Sequence, residues 1–395
     1  MRPFLVLAAS LVPFVLAPRP AAAQGLPQAP LTWLGGRVVV SGSVSAATAS
    51  GGTDTSFNSG DYNQDTMRLV EVALASSVTL HRAVFVDVDL RAAGGVGRSD
   101  WYFRPSTLLL GVRPLPGRPV TVSAGVLQTP FGGARRGYGR QNLLVGLPLV
   151  YQYRSALPAS GVRYAAAPGA GPGRYAGSVA YVYRPPGLPM VDTRGWNAGV
   201  LLEAGDDRAR VEAAVTRGSL SNPLSRGDSP GWQASGRASA QPLLGLVLGV
   251  SAARGGYASP ADSSAAMKET VLGADAEFSR DYWLVRGEVV HSRRDVRTYG
   301  VSGREPLAVT GIDAEARYRV APGLYVAGRV GRLWFGDANG GTAPWDADVS
   351  RVEGGLGWSP SRPVLVKLSY QYNRRPGGAS RETLHRAALQ ALVWF

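Results

Sequence analysis

The sequence predicts an all-β fold, a transmembrane antiparallel β-barrel of about 18 strands, with 16 as the alternative number. Segments of about 10 to 13 residues alternate apolar with polar or small residues, which suits strands that cross a bilayer. Short and long connections follow each other in turn, and the tryptophans fall at the ends of the predicted strands.

Residues 1–23 are predicted to form a secretory signal peptide. Arg2 supplies a positive start, residues 4–17 are apolar, and a run of alanines at 21–23 provides a small-residue cleavage site. The apolar run is too short to span a bilayer and contains Pro13. The predicted division is therefore 1–23 for the signal and 24–395 for the barrel.

The composition narrows the classes of protein that fit. The chain has no cysteine, so it has neither disulfides nor thiolate metal sites, and its net charge is +14. No later segment approaches the ~20 apolar residues of a transmembrane helix. In an exported barrel we assign the positive charge to lipopolysaccharide or to the pore, and not to nucleic acid. No cofactor or metal is predicted, because Asp54, Asp61 and Asp65 are interpreted as solvated.

The predicted strands have one apolar and one polar face. In residues 312–319, Asp313, Glu315, Arg317 and Arg319 share a face, and the segments 83–91, 272–278, 352–358 and 364–373 repeat the pattern. A period of two indicates strands. Strands of globular proteins usually run ~5 to 6 residues, so the length favours membrane-spanning strands of ~9 to 11.

The connections indicate the topology. Short ones are predicted at 114–119, 205–207, 241–242, 280–281, 321–323 and 359–362, and long ones at 48–65, 129–158, 218–230, 255–267, 294–307 and 336–348. Short periplasmic turns and long extracellular loops are typical of barrels in the outer membrane of Gram-negative bacteria. Residues 24–32 are too few to fill a lumen, so an open pore is expected.

Aromatic residues and the end of the chain support this topology. Girdles at the membrane boundary are predicted from Trp33, Trp101, Trp196, Trp232, Trp283, Trp334, Trp358 and Trp394. The last strand has Val393 and Phe395 on its apolar face. Its ending resembles the C-terminal signal by which outer-membrane proteins are delivered to the barrel-assembly machinery.

The loop 129–158 is too long for an ordinary connection. Its glycines make it pliable, and its apolar run at 143–150 can pack on the inner wall. Folded inward, it would narrow the pore and present to the lumen the predicted constriction residues Arg135, Arg136, Arg140, Arg154, Tyr138 and Tyr151. Rings of arginine favour anion passage.

Part of this region resembles a known family. The stretch GVLQTPFGG at 125–133 and the stretch GLPLVYQY at 146–153 are similar to a strand and its following loop in porins related to the phosphate-selective porin family. The resemblance implies a diffusion channel, often trimeric, whose loop folds inward. Family members that select phosphate use lysine-rich eyelets, whereas Lys268 and Lys367 are the only lysines among 42 basic residues. Phosphate selectivity is therefore not expected.

The predicted function is passive diffusion of small hydrophilic solutes with an anion preference, and a weakly selective pore is the alternative. The predicted pore-lining residues have both signs of charge: Arg237, Arg286, Arg317, Arg329, Arg351, Asp313, Glu315 and Glu288. The expected partners are membrane lipid and lipopolysaccharide, the assembly machinery and two further copies in a homotrimer.

Other classes of function remain open, including a purely structural or adhesive barrel. A sugar-specific or carboxylate-specific porin fits the same pattern, with loop tyrosines as a stacking surface for sugars. An outer-membrane hydrolase would need a histidine near the outer rim, with a nucleophile or acid beside it. His291 with Asp295, and His385 with Ser380 and Glu382, are the candidates, but no nucleophile motif accompanies them.

Overall fold

The computed structural model describes residues 29–51, 56–58, 65–95, 101–115, 117–133, 142–157, 162–164, 187–192, 196–223, 231–258, 266–299, 303–337, 344–376 and 382–395. Their strands are β1 (Leu31–Trp33), β2 (Val38–Ala49), β3 (Leu69–His81), β4 (Val84–Gly95), β5 (Trp101–Val112), β6 (Val120–Gln128), β7 (Val162–Tyr164), β8 (Trp196–Gly205), β9 (Ala209–Arg217), β10 (Trp232–Leu243), β11 (Leu246–Ala258), β12 (Met267–Arg280), β13 (Trp283–Tyr299), β14 (Glu305–Ala321), β15 (Leu324–Phe335), β16 (Val349–Trp358), β17 (Val364–Arg375) and β18 (Glu382–Trp394). One short helix, α1, covers Leu149–Gln152. Within the described ranges, no helix has the length and apolar character to cross a membrane.

The strands close into one antiparallel barrel. Each neighbour pair from β2 to β6 and from β8 to β18 is hydrogen-bonded, β6 pairs with β8, and β18 closes the sheet on β2. Closure leaves no free edge, as hydrocarbon requires. The predicted fold class is confirmed.

The barrel has 16 strands, which is the lower of the two predicted numbers. β1 and β7 have three residues each and cannot span the bilayer. β7 instead pairs in parallel with β13 through residues 297–299, near the outer end of that strand.

The two faces of the wall differ in polarity. On β16, Arg351 and Glu353 are each 1 % exposed, whereas Val352 between them is 54 % exposed. The same alternation on the other strands places charged side chains inside and valine, leucine and aromatic residues outside. A closed barrel with an apolar outer belt is suited to lipid.

Most of the predicted girdle lies on the outer surface near strand ends. Trp101, Trp232, Trp283, Trp334 and Trp358 are between 39 % and 63 % exposed. Trp196 differs from the prediction, because it is 6 % exposed and lies under the Arg104 guanidinium at 3.9 Å from its ring centroid. Its position at a strand end was right, but it is buried in the protein and not in the lipid boundary.

The last residue completes the closure of the barrel. Phe395 exchanges two backbone hydrogen bonds with Gly42 of β2, at 3.0 and 3.2 Å. The phenyl ring lies over Gly42, where a Cβ atom would come within 2.6 Å of it. A larger residue at position 42 would displace the ring from this position.

Candidate functional site in the barrel interior

Part of the chain between β6 and β8 lies inside the barrel. Its described residues 142–157 are almost entirely buried, and they contact the inner faces of β13 to β17. We call residues 142–157 the inner loop. Its apolar side chains join a buried cluster with residues of the wall and other loops, including Phe57, Val290, Leu333 and Trp345. This packing uses the apolar run that the sequence places at 143–150.

Asp313 on β14 anchors helix α1 of the inner loop. Its two carboxylate oxygens accept the backbone N–H groups of Leu149 and Val150, each at 3.0 Å. These are N–H groups of the first helical turn, which have no partner within the helix. Pro148 precedes them with extended backbone, so the helix begins where the carboxylate can reach it.

Glu288 on β13 also binds helix α1. The hydroxyl of Tyr151 donates a hydrogen bond to the Glu288 carboxylate, with distances of 2.6 and 2.7 Å to its two oxygens. Both residues are buried. Tyr151, which the sequence assigns to the constriction, therefore bonds to the wall through its hydroxyl.

Arg329 on β15 connects the wall to the start of the inner loop. Its guanidinium donates to Glu315 at 2.5 and 2.9 Å and forms an ion pair with Glu353 at 3.3 Å. It also donates to the carbonyl of Gly146 and to the side chain of Asn142, both at 2.8 Å. All five hydrogen-bond donors of arginine lie in one plane, which allows this simultaneous contact.

Gly146 lies directly against the wall. Its N–H donates to Glu353 at 3.0 Å, and a Cβ atom at this position would overlap the amide of Gln371. A larger residue would push the loop away from β16 and β17.

Arg351 on β16 joins two loops. It donates to the carbonyl of Leu147 at 2.9 Å and to Gln152 at 3.0 Å in the inner loop. Its other terminal nitrogen donates to the carbonyl of Phe57, in the loop after β2, at 2.6 Å. The Nε of Arg351 donates a hydrogen bond to the side-chain oxygen of Asn373 on β17 at 2.7 Å. One buried side chain therefore holds both loops against the wall.

Three further contacts come from residues that the sequence did not single out for the interior. Lys367 on β17 donates to the carbonyl of Asn142 at 2.6 Å and is fully buried. Arg294 on β13 donates to the carbonyls of Pro189 and Met190 at 2.5 and 2.8 Å. The alternation of β17 places Lys367 on the inner face and could have identified it. Nothing local in the sequence indicates what it contacts.

The predicted constriction residues divide into two groups. Arg135, Arg136, Tyr138 and Arg140 lie outside the described residues. Arg154 is 3 % exposed and forms an ion pair with Asp192 at 3.1 Å. Its charge is neutralised within the loops.

The predicted pore-lining residues all occupy the inner face, as the strand registers show. Most are compensated by a neighbour of opposite sign. Arg237 pairs with Asp275, and Arg286 pairs with Glu277 at 2.6 Å and with Glu315 at 3.2 Å. Arg317 differs from these, because its guanidinium lies over the ring of Tyr325, with the Cζ atom 5.7 Å from the ring centroid.

Open space remains beside the inner loop and beside residues 129–131 that follow β6. A cleft of about 30 Å³ lies between Gly133, Pro148 and the charged residues of β12 to β15. A cavity of about 260 Å³ lies beside Phe131 and Glu212, and one of about 370 Å³ lies below Leu143 at the periplasmic end. On β3 and β4, the side chains of Glu71, Asp89 and Arg91 stay 13 % to 24 % exposed.

The contacts of His291 and His385, the two candidate histidines near the outer rim, do not form a catalytic arrangement. His291 lies 2.9 Å from the hydroxyl of Thr310, and His385 lies 2.5 Å from the hydroxyl of Tyr370. Both rings are on the outward face of the wall. Ser380 and the side chain of Glu382 lie outside the described residues. In the described part of the chain, no group of three metal-ligating residues occurs.

Asp346 links the loop between β15 and β16 to the inner loop. Its carboxylate accepts the N–H of Ala156 at 2.8 Å and pairs with Arg375 at 2.8 Å. Burial raises the pKa of Asp346 above its ordinary value of 3.8, while Arg375 and the N–H groups of Ala156 and Ala347 oppose the shift.

This raised pKa predicts a pH dependence. The folded protein holds the Asp346 proton more tightly than the unfolded chain, so this contribution to stability is complete below pH 3.8 and is lost as pH rises through the raised pKa. In that window we expect the free energy of unfolding to fall by at most about 1.4 kcal/mol per pH unit from this group. Urea unfolding at a series of pH values would measure it. Asp346→Asn should flatten the curve, and an unchanged slope would contradict the assignment.

The fold is similar to that of known structures, although the sequence matches no known family. No family model and no curated protein matches the sequence. Among solved structures, an anion-selective porin from Comamonas acidovorans is similar with a TM-score of 0.57 and 10 % identity, over 91 % of this chain and 99 % of that one.

Two further structures are similar over the same share of this chain. OmpF of Salmonella typhi, solved in complex with daunomycin, has a TM-score of 0.57 at 8 % identity and is covered over 97 % of its length. The trimer form of OmpT, an outer membrane protein of Vibrio cholerae, has a TM-score of 0.55 at 12 % identity and is covered over 99 %. Identities this low show the fold alone. The closed barrel and its apolar belt place the chain in the bacterial outer membrane, with the fold found in porins.

Proposed function

We propose that this protein is a porin, a water-filled channel for passive diffusion of small hydrophilic solutes with a modest anion preference. The observation that carries the proposal is the charged inner face of a 16-strand barrel, part of which stays accessible on β3 and β4. Barrels of about 16 to 18 strands leave an aqueous channel. The inner loop, held on β13 to β17, serves as the constriction.

The anion preference is supported by the net charge of +14, which is +12 without Arg2 and Arg19 of the signal peptide, and by the arginines of the loop 129–158. Since Arg154 is paired with Asp192, the preference rests on Arg135, Arg136 and Arg140 and on the basic residues of the lumen. One structural neighbour is an anion-selective porin. The close pairing of most inner arginines with carboxylates favours a modest preference over a strong one.

Conductance in planar bilayers tests both parts of the proposal. The refolded full-length protein should form open channels, and under a KCl gradient the reversal potential should have the sign of anion permeation. A reversal potential of the opposite sign would remove the anion preference and leave the porin. Purified, folded protein that forms no channels would contradict the porin function.

The hydrolase alternative receives less support. His291 and His385 face outward and contact hydroxyl groups, so neither is arranged with a carboxylate in the described contacts. We therefore propose that the protein is not an enzyme. Hydrolysis of ester or peptide substrates that is lost in a His291→Ala, His385→Ala double variant would overturn this.

The partners follow from the outer surface. Arg254, Lys268 and Arg293 face outward near the extracellular ends of β11, β12 and β13, where lipopolysaccharide phosphates could pair with them. We further propose a homotrimer, as one neighbour is recorded in a trimer form. Light scattering in detergent should give the mass of three chains, and a monomer mass would exclude it.

Export and assembly complete the proposal. The signal peptide at 1–23 predicts that the exported protein begins at Gln24, which mass spectrometry of outer-membrane fractions would test. An assembly role for Val393 and Phe395 is supported by the contact of Phe395 with Gly42. Deleting Phe395 should reduce the amount of folded protein in the outer membrane, and an unchanged amount would contradict this role.

A further inference from the structure

A cavity of about 370 Å³ lies inside the periplasmic end of the barrel. The turns at residues 281–282 and 322–323 mark this end, since they are the short connections of β12–β13 and β14–β15. The cavity lies directly below the inner loop. Its lining combines arginine and leucine side chains, and passive diffusion through a porin does not require that combination.

The basic lining comes from β13 and β14. Arg286 is compensated by Glu277 and Glu315. For Arg317 and Arg319, no carboxylate oxygen of the described residues lies within 4.0 Å. The Nε of Arg317 is also buried without a hydrogen-bond partner among those residues. The cavity therefore has two guanidinium groups available for an anion.

The apolar lining comes from Leu143 of the inner loop, from Leu284 on β13 and from Leu365 on β17. Leu143 packs in a buried cluster with Leu144 and Leu284. The hydroxyl of Tyr325 donates to the carbonyl of Leu143 at 2.8 Å, which fixes the ring beside Arg317. An inorganic anion would make no use of this apolar lining.

We propose that the cavity binds organic monocarboxylates with a small apolar body. A guanidinium pairs with a carboxylate through two parallel hydrogen bonds, and the apolar body would be removed from water against Leu143 and Leu284. The volume lies at the lower end of the range for small-molecule sites, ~300 to 1,000 Å³. The inference rests on the proposed porin function only because the ligand reaches the cavity through the channel.

Calorimetric titration of the refolded full-length protein in detergent tests binding independently of conductance. Sodium benzoate should bind at least about tenfold more tightly than sodium acetate. Arg317→Gln and Arg319→Gln should each weaken benzoate binding by about tenfold. Arg280→Gln is the matched control, because Arg280 lies at the same end of the barrel and is 77 % exposed outside the cavity.

The apolar lining needs its own variant. Leu284→Ser should weaken benzoate binding and leave acetate binding unchanged, provided that heat-modifiable gel mobility shows a folded barrel. Arg319 is exposed, so Arg319→Gln keeps the test valid if Leu284→Ser does not fold. Equal affinities for benzoate and acetate, or an effect of Arg280→Gln as large as that of Arg317→Gln, would overturn the assignment.

Bilayer recordings separate this inference from the porin function. Benzoate added on the periplasmic side should reduce the single-channel conductance of the wild-type protein, and Arg317→Gln should relieve the block. Channels that conduct without benzoate binding would refute the site and leave the porin. Benzoate binding without conductance would refute the porin and leave the site.

Discussion

Replacing Arg329 by methionine is expected to lower the free energy of unfolding by about 3–5 kcal/mol. The guanidinium is 1 % exposed and pairs with Glu315 and Glu353, which are themselves buried. Methionine fills a similar volume but leaves both carboxylates without this partner. The variant is destabilised because the buried carboxylates of Glu315 and Glu353 no longer have this positive partner. The lost hydrogen bonds to Gly146 and Asn142 destabilise it further.

Urea unfolding of the refolded protein, followed by tryptophan fluorescence, measures this effect. Arg332→Met is the matched control, because Arg332 lies on the same strand and is 52 % exposed on the outer face. The control should change the free energy of unfolding by less than about 1 kcal/mol. Equal losses in the two variants would show that Arg329 has no special role in holding the interior.

Replacing Arg351 by glutamine is expected to loosen the inner loop on the wall. The shorter side chain cannot reach the carbonyls of Phe57 and Leu147 together, so the connection between the two loops is lost. Because hydrogen bonds to charged groups contribute about 1.5–3 kcal/mol each, local opening should become at least about tenfold more frequent. The single-channel conductance should increase and become noisier.

Limited proteolysis gives a second readout of the same change. Trypsin can cut the loop 129–158 after Arg135, Arg136 or Arg140, and cleavage there should be faster in the variant by a similar factor. Arg374→Gln is the control, since Arg374 is exposed on the neighbouring strand. If conductance and cleavage rate match the wild-type values, Arg351 does not hold the loop.

The inner face of the barrel could be predicted from the sequence to a large extent. The period of two in residues 312–319 places Asp313, Glu315 and Arg317 on one face, and the structure has all three inside. Pairing across strands could not be predicted, because it depends on register. Glu315 meets Arg286 and Arg329 because β13, β14 and β15 align in this way.

The number of strands and the surroundings of individual side chains were harder to predict from the sequence. The two strands β1 and β7 have three residues each and do not cross the membrane. Trp196 occupies a strand end, as the girdle pattern predicts, yet its ring is covered by Arg104. The sequence around a short strand or a terminal tryptophan is compatible with more than one position in the barrel. Which position it takes depends on the residues that pack against it.

The sequence by itself determined the membrane-spanning barrel, its topology and its charged interior, because alternation and turn spacing are local properties that each strand displays. The tertiary structure alone decided that 16 strands close and that the inner loop is held by Asp313, Arg329 and Arg351. It also decided that Arg154 is neutralised by Asp192. These outcomes depend on contacts between residues far apart in the chain, and a single sequence does not encode such contacts in any local pattern.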